Sequence, residues 1–336
     1  MKSKVMLALG AAAALFCACG GPKGYVIQGE VPDDRGYAVL RYDTPEGETV
    51  RDTAVLEGGK YVFRGSVEDV VMGSVIVYAE GKEPARAFLY VENSPLTIAD
   101  DKASGGPNND FMRAMSDVGE GLDKDDPDYP AKIHQALLDF TTSYPDVEAA
   151  AFMFHNFSRE ATYDELKAGF DRFTPRVQQS FLAQRLREDL VSRKATEPGL
   201  EAPDFTLADR EGNPVTLSSL RGSIVMVDFW ASWCKPCRAS MPGLKELYAK
   251  YHDKGFEILG VSIDSDDEAW KKAVAEDETP WIHVIDASQG KTRSTQAAEL
   301  YGVRAVPTFF LIDRDGKIIG KLDHDALASE LASRLD

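Results

Sequence analysis

Two cysteines three positions apart, Cys234 and Cys237 in FWASWCKPCRASMP, are the side chains of this sequence best suited to chemistry. A pair so spaced can be half of a metal site, a haem anchor, a static cross-link, or a dithiol that cycles with its own disulfide. Zinc needs four ligands; His252 follows Cys237 after fourteen residues, but no second His lies three to five residues from it. Haem attachment needs a His directly after the second Cys, and this chain has Arg238 there. A static cross-link over so short a loop removes little entropy from the unfolded chain. A redox dithiol fits.

The neighbouring residues favour that chemistry. SIVMVDFW reads as a buried strand and MPGLKELYAKYHDKG as an amphipathic helix ended by Gly255. Cys234 therefore follows a strand and opens a helix, where terminal N–H groups and the macrodipole stabilise a thiolate. Lys235 and Arg238 add positive charge, so the Cys234 thiol is expected to ionise below its free value of roughly 8.5. Cys237, one helical turn on, is within reach to resolve a mixed disulfide. Pro236 falls in the first turn, where its missing N–H costs little. A peroxiredoxin would need Thr or Ser three before its reactive cysteine and Pro seven before it; those positions hold Ala231 and Val227.

The elements that must position this pair alternate between strand and helix. After SIVMVDFW come FEILGVSID as a strand, DDEAWKKAVAEDE as a helix and WIHVID as a short strand. VPTFFLID and KIIGKL flank a hairpin turn at Arg314-Asp315-Gly316, and ALASELASRL forms a last helix. This is a βαβ unit followed by a ββα unit, an α/β mixed sheet with helices on both faces. Glu197-Pro198-Gly199 reads as the linker before it. Residues 25–100 read as β, with YVIQGEV, YAVLRY, KYVFRGSV, GSVIVYA and AFLYV separated by turn residues, which predicts a small antiparallel sandwich or barrel. IHQALLDF, EAAAFMFHNF and VQQSFLAQRLREDLV carry helical spacing, broken at Pro145 and Pro175. The acidic stretch from Asp123 to Asp128 is a solvated loop, since Pro127 and His134 occupy the fifth and twelfth positions of any calcium loop begun there.

The chain of 336 residues is long enough for two or three modules. Its net charge of −17 excludes a nucleic-acid partner, which needs clustered Lys and Arg. At the N-terminus Lys2 and Lys4 precede the apolar run VMLALGAAAALF and then Cys17-Ala18-Cys19, a secretory signal too short to span a bilayer. The ending resembles a bacterial lipoprotein signal, with Cys19 as the lipidated residue because Ala18 precedes it; Phe16 departs from the usual aliphatic residue. The expected modules are a signal and lipidation site at 1–19, an all-β domain at 20–110, a helical segment at 111–196 and an α/β domain at 197–336. Cys234 and Cys237 are then the cysteines left outside the targeting segment.

Residues from about 200 onward resemble the TlpA/ResA-like branch of the thioredoxin superfamily. The resemblance rests on Ala202-Pro203-Asp204-Phe205 and Leu217-Ser218-Ser219-Leu220-Arg221-Gly222 as an N-terminal hairpin, on Asp228 six before Cys234, on Pro242 five after Cys237, and on Val306-Pro307-Thr308. It implies a thioredoxin fold and a Cys234–Cys237 redox disulfide. It implies that Asp228 is a buried carboxylate assisting proton transfer with Cys237, and that Val306, Pro307 and Thr308 form a cis-proline loop binding extended substrate. Trp233, Lys235 and Pro236 are expected to complete the substrate-facing rim. Ser240 stands where many members of the branch have Glu. The β-rich region looks more loosely like a domain of unknown function that precedes such modules in lipoproteins. The whole implies a membrane-anchored, extracytoplasmic thiol–disulfide oxidoreductase with no cofactor or metal. Its partners would be a membrane thiol donor and disulfide-containing clients, apocytochrome c among them. A dithiol oxidase and a ligand-binding lipoprotein remain as rivals.

Overall fold

The computed structural model describes residues 24–32, 35–286 and 296–336; the signal segment and Cys19 lie outside the described residues. Two compact units divide the chain between Asp117 and Val118.

The first unit contains β1 Tyr25–Glu30, β2 Gly36–Asp43, β3 Thr49–Val55, β4 Lys60–Gly65, β5 Val71–Ala79, β6 Ala85–Val91, β7 Pro95–Ala99 and β8 Lys102–Ser104, followed by α1 Pro107–Met115. The strands form one sheet in the order β3-β2-β5-β6-β8-β7-β1-β4. Its two outer strands, β3 and β4, are consecutive, and Glu57 and Lys60 exchange backbone hydrogen bonds at the turn between them. The sheet thus curls into a barrel-like form around Ile27, Leu40, Phe63 and Leu96. It is not all antiparallel as expected: β7 runs parallel to β1, and β8 parallel to β6. Three strands escaped the sequence reading because β3 is largely exposed while β7 and β8 are short, so none shows a long alternation.

Residue 110, the expected end of the β domain, lies inside α1. Glu92, buried beside this helix, accepts from Asn108 N (3.2 Å) and Nδ2 (3.0 Å) and from Asn109 N (3.3 Å) and Nδ2 (2.8 Å). Asn109 also bonds both backbone groups of Tyr90. A carboxylate at helix-start N–H groups is favourable, so this clasp and the buried ring of Phe111 hold α1 to the sheet.

The second unit opens with α2 Tyr129–Thr142, α3 Glu148–Phe157, α4 Tyr163–Phe170, α5 Pro175–Gln179 and α6 Gln184–Ala195. The expected continuous helix through VQQSFLAQRLREDLV is two, α5 and α6. Ser180 turns extended, donates to Val177 O (2.8 Å) and accepts from Ala183 N (3.4 Å), the local competition for backbone groups that serine offers.

Then come β9 Thr206–Asp209, β10 Pro214–Thr216, β11 Ile224–Trp230, α7 Lys235–Tyr251, β12 Phe256–Ser262, α8 Asp267–Asp277, β13 Ile282–Ile285, α9 Gln296–Leu300, β14 Thr308–Ile312, β15 Ile318–Leu322 and α10 His324–Leu335. The sheet order is β10-β9-β13-β12-β11-β14-β15, with β11, β12 and β13 parallel and β14 antiparallel to β11. Every residue of β11 is buried, as a continuous apolar run in a doubly covered sheet must be. Its side chains alternate. Ile224, Met226 and Trp230 face a core shared with α7, α8 and α10; Val225, Val227 and Phe229 face one shared with α9 and Tyr301. The segment read as a linker is instead laid along β15: Gly199 N donates to Ile318 O, Ile318 N to Leu200 O (2.8 Å each), and Ala202 N to Gly316 O (2.9 Å).

A fragment of residues 24–117 is expected to unfold cooperatively in urea. One ending at residue 110 loses Phe111 and should be less stable by at least about 3 kcal/mol; equal stability of the two would contradict the place given to α1.

Candidate active site

Cys234 is the residue at which β11 has ended and α7 begins. A buried carboxylate fixes the turn before it: Asp264 accepts from Ser232 N (2.8 Å), Ser232 Oγ (2.7 Å) and Ser262 Oγ (2.7 Å). Cys234 caps α7, and its Sγ accepts from the backbone N–H of Cys237 at 3.2 Å. The two cysteines form a disulfide with an S–S distance of 2.06 Å and a Cα–Cα separation of 5.3 Å. Both are buried, whereas Trp233 is 65% exposed and Lys235 and Pro236 are also exposed, so an accessible rim adjoins a covered disulfide.

Arg238, expected to add positive charge near the sulfur, is also paired with acidic side chains. Its guanidinium is held by α8, with Nε to Asp277 Oδ2 at 2.8 Å, Nη2 to Asp277 Oδ1 at 2.7 Å and Nη2 to Glu276 Oε2 at 3.0 Å. Two carboxylates offset its charge. Ser240 turns its hydroxyl back to Cys237 O (2.7 Å).

Asp228 sits in the middle of β11, between Met226 and Trp230 on the face that packs with Cys234, Cys237 and Met241. It is 1% exposed, and its Oδ1 has no hydrogen-bond partner among the described residues. Burial pushes its carboxyl up from the ordinary 3.8 to about 7. In register with it across the sheet are Gly260 and then His283. A Cβ on Gly260 would lie 2.7 Å from His283 Nδ1 and 3.3 Å from Trp230 Nε1, so only glycine leaves room for the imidazole and indole there. Burial, with Arg210 adding to it, drives His283 down to about 3, and its Nε2 meets the Thr279 hydroxyl at 2.6 Å. The imidazole is neutral.

The peptide bond between Val306 and Pro307 is cis. It directly precedes β14, whose Thr308 pairs with Phe229 of β11, so this loop and the Cys234 turn leave the sheet side by side. Val306 packs on the apolar cluster holding both cysteines, Pro307 is exposed, and Thr308 Oγ1 donates to Ala305 O at 2.8 Å. The fold thus brings Cys234, Cys237, Trp233, Lys235, Pro236, Val306, Pro307 and Thr308 to one end of the sheet, with Asp228 two residues in from that end of β11 on the face that carries the cysteines. Asp264 and His283 escaped the sequence reading. The spacing of Asp264 from Ser262 at a strand end was the available signal for the first, and an isolated His in WIHVID gave none for the second.

A dithiol capping a helix, a buried carboxylate beneath it and a cis-proline loop beside it, on a mixed sheet of this order, define a thioredoxin-like redox protein. Residues 198–321 match the AhpC/TSA family, and residues 25–112 a domain of unknown function, DUF4369. Over 139 residues the chain is 37% identical to the thiol-disulfide oxidoreductase ResA of Bacillus thuringiensis, covering 41% of this chain and 77% of that protein. It is 39% identical over 128 residues to ResA of Geobacillus thermodenitrificans, covering 38% and 70%. The thioredoxin domain of a Bacteroides vulgatus thiol-disulfide oxidoreductase is 36% identical, covering 42% of this chain and 99% of that structure with a TM-score of 0.39. The chain belongs to the ResA-like thiol–disulfide oxidoreductases and is an enzyme of that class.

Asp228 holds its proton more tightly in the folded than in the unfolded state. Stability on this account is full below about pH 4 and falls as pH rises to about 7, by on the order of 4 kcal/mol. Asp228→Asn should therefore leave the oxidised protein little changed at pH 4 and stabilise it increasingly up to pH 8. Urea unfolding across that range measures this, and a pH-independent gain would contradict it.

Proposed function

We propose that this protein is an exported, lipid-anchored reductase of protein disulfides, held to the membrane through Cys19. In the reductive cycle the Cys234 thiolate attacks one sulfur of a client disulfide, forming a mixed disulfide and releasing the other client sulfur as a thiolate. Asp228 takes the Cys237 proton, and the Cys237 thiolate attacks Cys234 Sγ. The client leaves fully reduced, one proton reaching its sulfurs from Cys237 by way of Asp228 and the other from solvent, and the enzyme is left with the Cys234–Cys237 disulfide. Two electrons have passed to the client, and a membrane dithiol donor returns them.

The observation that carries this reading is the place of the Cys234 sulfur. It caps α7 and receives the Cys237 N–H, which favours the thiolate of Cys234 over that of Cys237. The buried carboxyl of Asp228, poised near 7, is suited to exchange a proton at neutral pH. Trp233, Lys235 and Pro236 form the rim a client meets, and the backbone about Val306, Pro307 and Thr308 offers strand-like pairing to an extended client chain. Apocytochrome c is one client of fitting chemistry, since its paired thiols must be reduced before haem attachment. No helix among the described residues is long and apolar enough to cross a membrane, and a lipid on Cys19 supplies the anchor in this reading.

Equilibration of the Cys234–Cys237 couple with glutathione or dithiothreitol buffers tests the direction. A potential near about −270 mV supports the reductase; one near about −120 mV would make the protein an oxidant. Cys237→Ser should accumulate a mixed disulfide with client on Cys234, visible by non-reducing electrophoresis, and Cys234→Ser should form none. Metabolic labelling with palmitate, lost in Cys19→Ala, tests the anchor.

A further inference from the structure

The helical segment of the second unit meets the cis-proline loop through one buried carboxylate. Asp189, on α6, is 0% exposed. Its Oδ2 accepts from His155 Nε2 of α3 at 3.2 Å and from Arg193 Nη2 at 3.0 Å. Arg193 in turn bonds the carbonyls of Ser158, Arg159 and Ala161 in the α3–α4 connection, so three elements are locked about this one group. Burial pushes the Asp189 carboxyl up, but the hydrogen bonds and charges of His155 and Arg193 outweigh it and hold the group below the usual range. The carboxylate is ionised.

Its second oxygen is turned elsewhere. Oδ1 has no hydrogen-bond partner among the described residues and lies 4.0 Å from Arg304 Nε. Arg304 stands three residues before Pro307, and its side chain is 27% exposed. Gly302, with φ +62°, packs so closely on α6 that a Cβ there would lie 2.5 Å from Ser192 Oγ and 3.4 Å from Asp189 Oδ1. The loop from Gly302 to Pro307 is therefore seated at its start on α6 and tied at its middle by a charge pair. At its end Thr308 bonds Ala305 O.

We propose that Asp189 and Arg304 are positioning residues for protein clients: the helical segment, through this pair, sets the cis-proline loop against which an extended client chain is held. Neither residue touches the reacting sulfurs. Their effect falls on chains long enough to pair with the loop and not on small disulfides. The proposal rests on the reading of Val306 and Pro307 as the client-binding loop.

The test compares the full chain with Arg304→Ala, Asp189→Asn, the double variant and Pro307→Ala, using insulin as a protein disulfide and glutathione disulfide as a small one. For Arg304→Ala the KM for insulin should rise about fivefold or more, with kcat, the rate with glutathione disulfide and the midpoint potential unchanged. The double variant, where it folds, should raise the insulin KM no further than Arg304→Ala, because the Asp189–Arg304 pair is already lost in the single variant. Arg304→Lys should recover part of the loss by restoring a charge without the planar fork. Asp189→Asn leaves buried groups unpaired; if it melts early, Arg304→Ala at the partly exposed end of the pair carries the test alone. An unchanged KM, additive losses in the double variant, or an equal fall with both disulfides would each overturn the proposal. If Pro307→Ala also leaves the insulin KM unchanged, the client-loop reading itself is wrong, and the proposal falls with it.

Discussion

A sulfur at the first turn of a helix stands among backbone N–H groups that no carbonyl inside the helix can reach. That is the constraint on which the functional end of this protein depends. It requires a strand to end and a helix to begin within a few residues, with Cys234 at the junction and Cys237 one turn along. Asp264 meets the requirement from a neighbouring strand end, tying down Ser232 while its own backbone is held by Ser262. Arg238, directly after Cys237, is paired with Asp277 and Glu276. The backbone N–H of Cys237 at the Cys234 sulfur is thus one part of the electrostatic setting of the pair.

Beneath that junction the core departs from apolar packing. Asp228, Trp230 and His283 all carry a buried polar atom with no partner among the described residues, and such atoms ordinarily destabilise a fold. They gather on the face of β11, β12 and β13 that lies under α7, while the opposite face, lined by Val225, Val227, Phe229, Leu259 and Val261, is apolar. A fold dense enough elsewhere can carry such a site. A carboxyl near neutrality beneath a dithiol is the return for that local instability.

The two units solve different packing problems. The first wraps one sheet on itself and secures a short helix with a buried carboxylate and two amides. The second builds a layered domain, helices on a mixed sheet, and adds five helices before it. Those helices are joined to the layered domain by more than chain connectivity: residues 199–202 lie along β15, and Gly302 rests on α6.

Much of this was legible in the sequence, and the reason is local. The strand SIVMVDFW, the helix after it and the hairpin at Arg314-Asp315-Gly316 each carry their own period or turn chemistry, so β11, α7, β14 and β15 fall where the residues put them. Asp228 stood out because a charge in an apolar strand is itself a signal. Strands β3, β7 and β8 gave none, since edge and short strands need no alternation, and the break at Ser180 hides in a run whose apolar spacing does not change. By itself the sequence determined the chemistry available, two cysteines at a helix start, one carboxyl in a buried strand and one proline before a strand. Only the tertiary structure decided which groups share a face and which charges are already taken. Arg238, Asp264 and Asp189 find partners across tens of residues, and such pairings are set by how strands and helices stack, which no local pattern records.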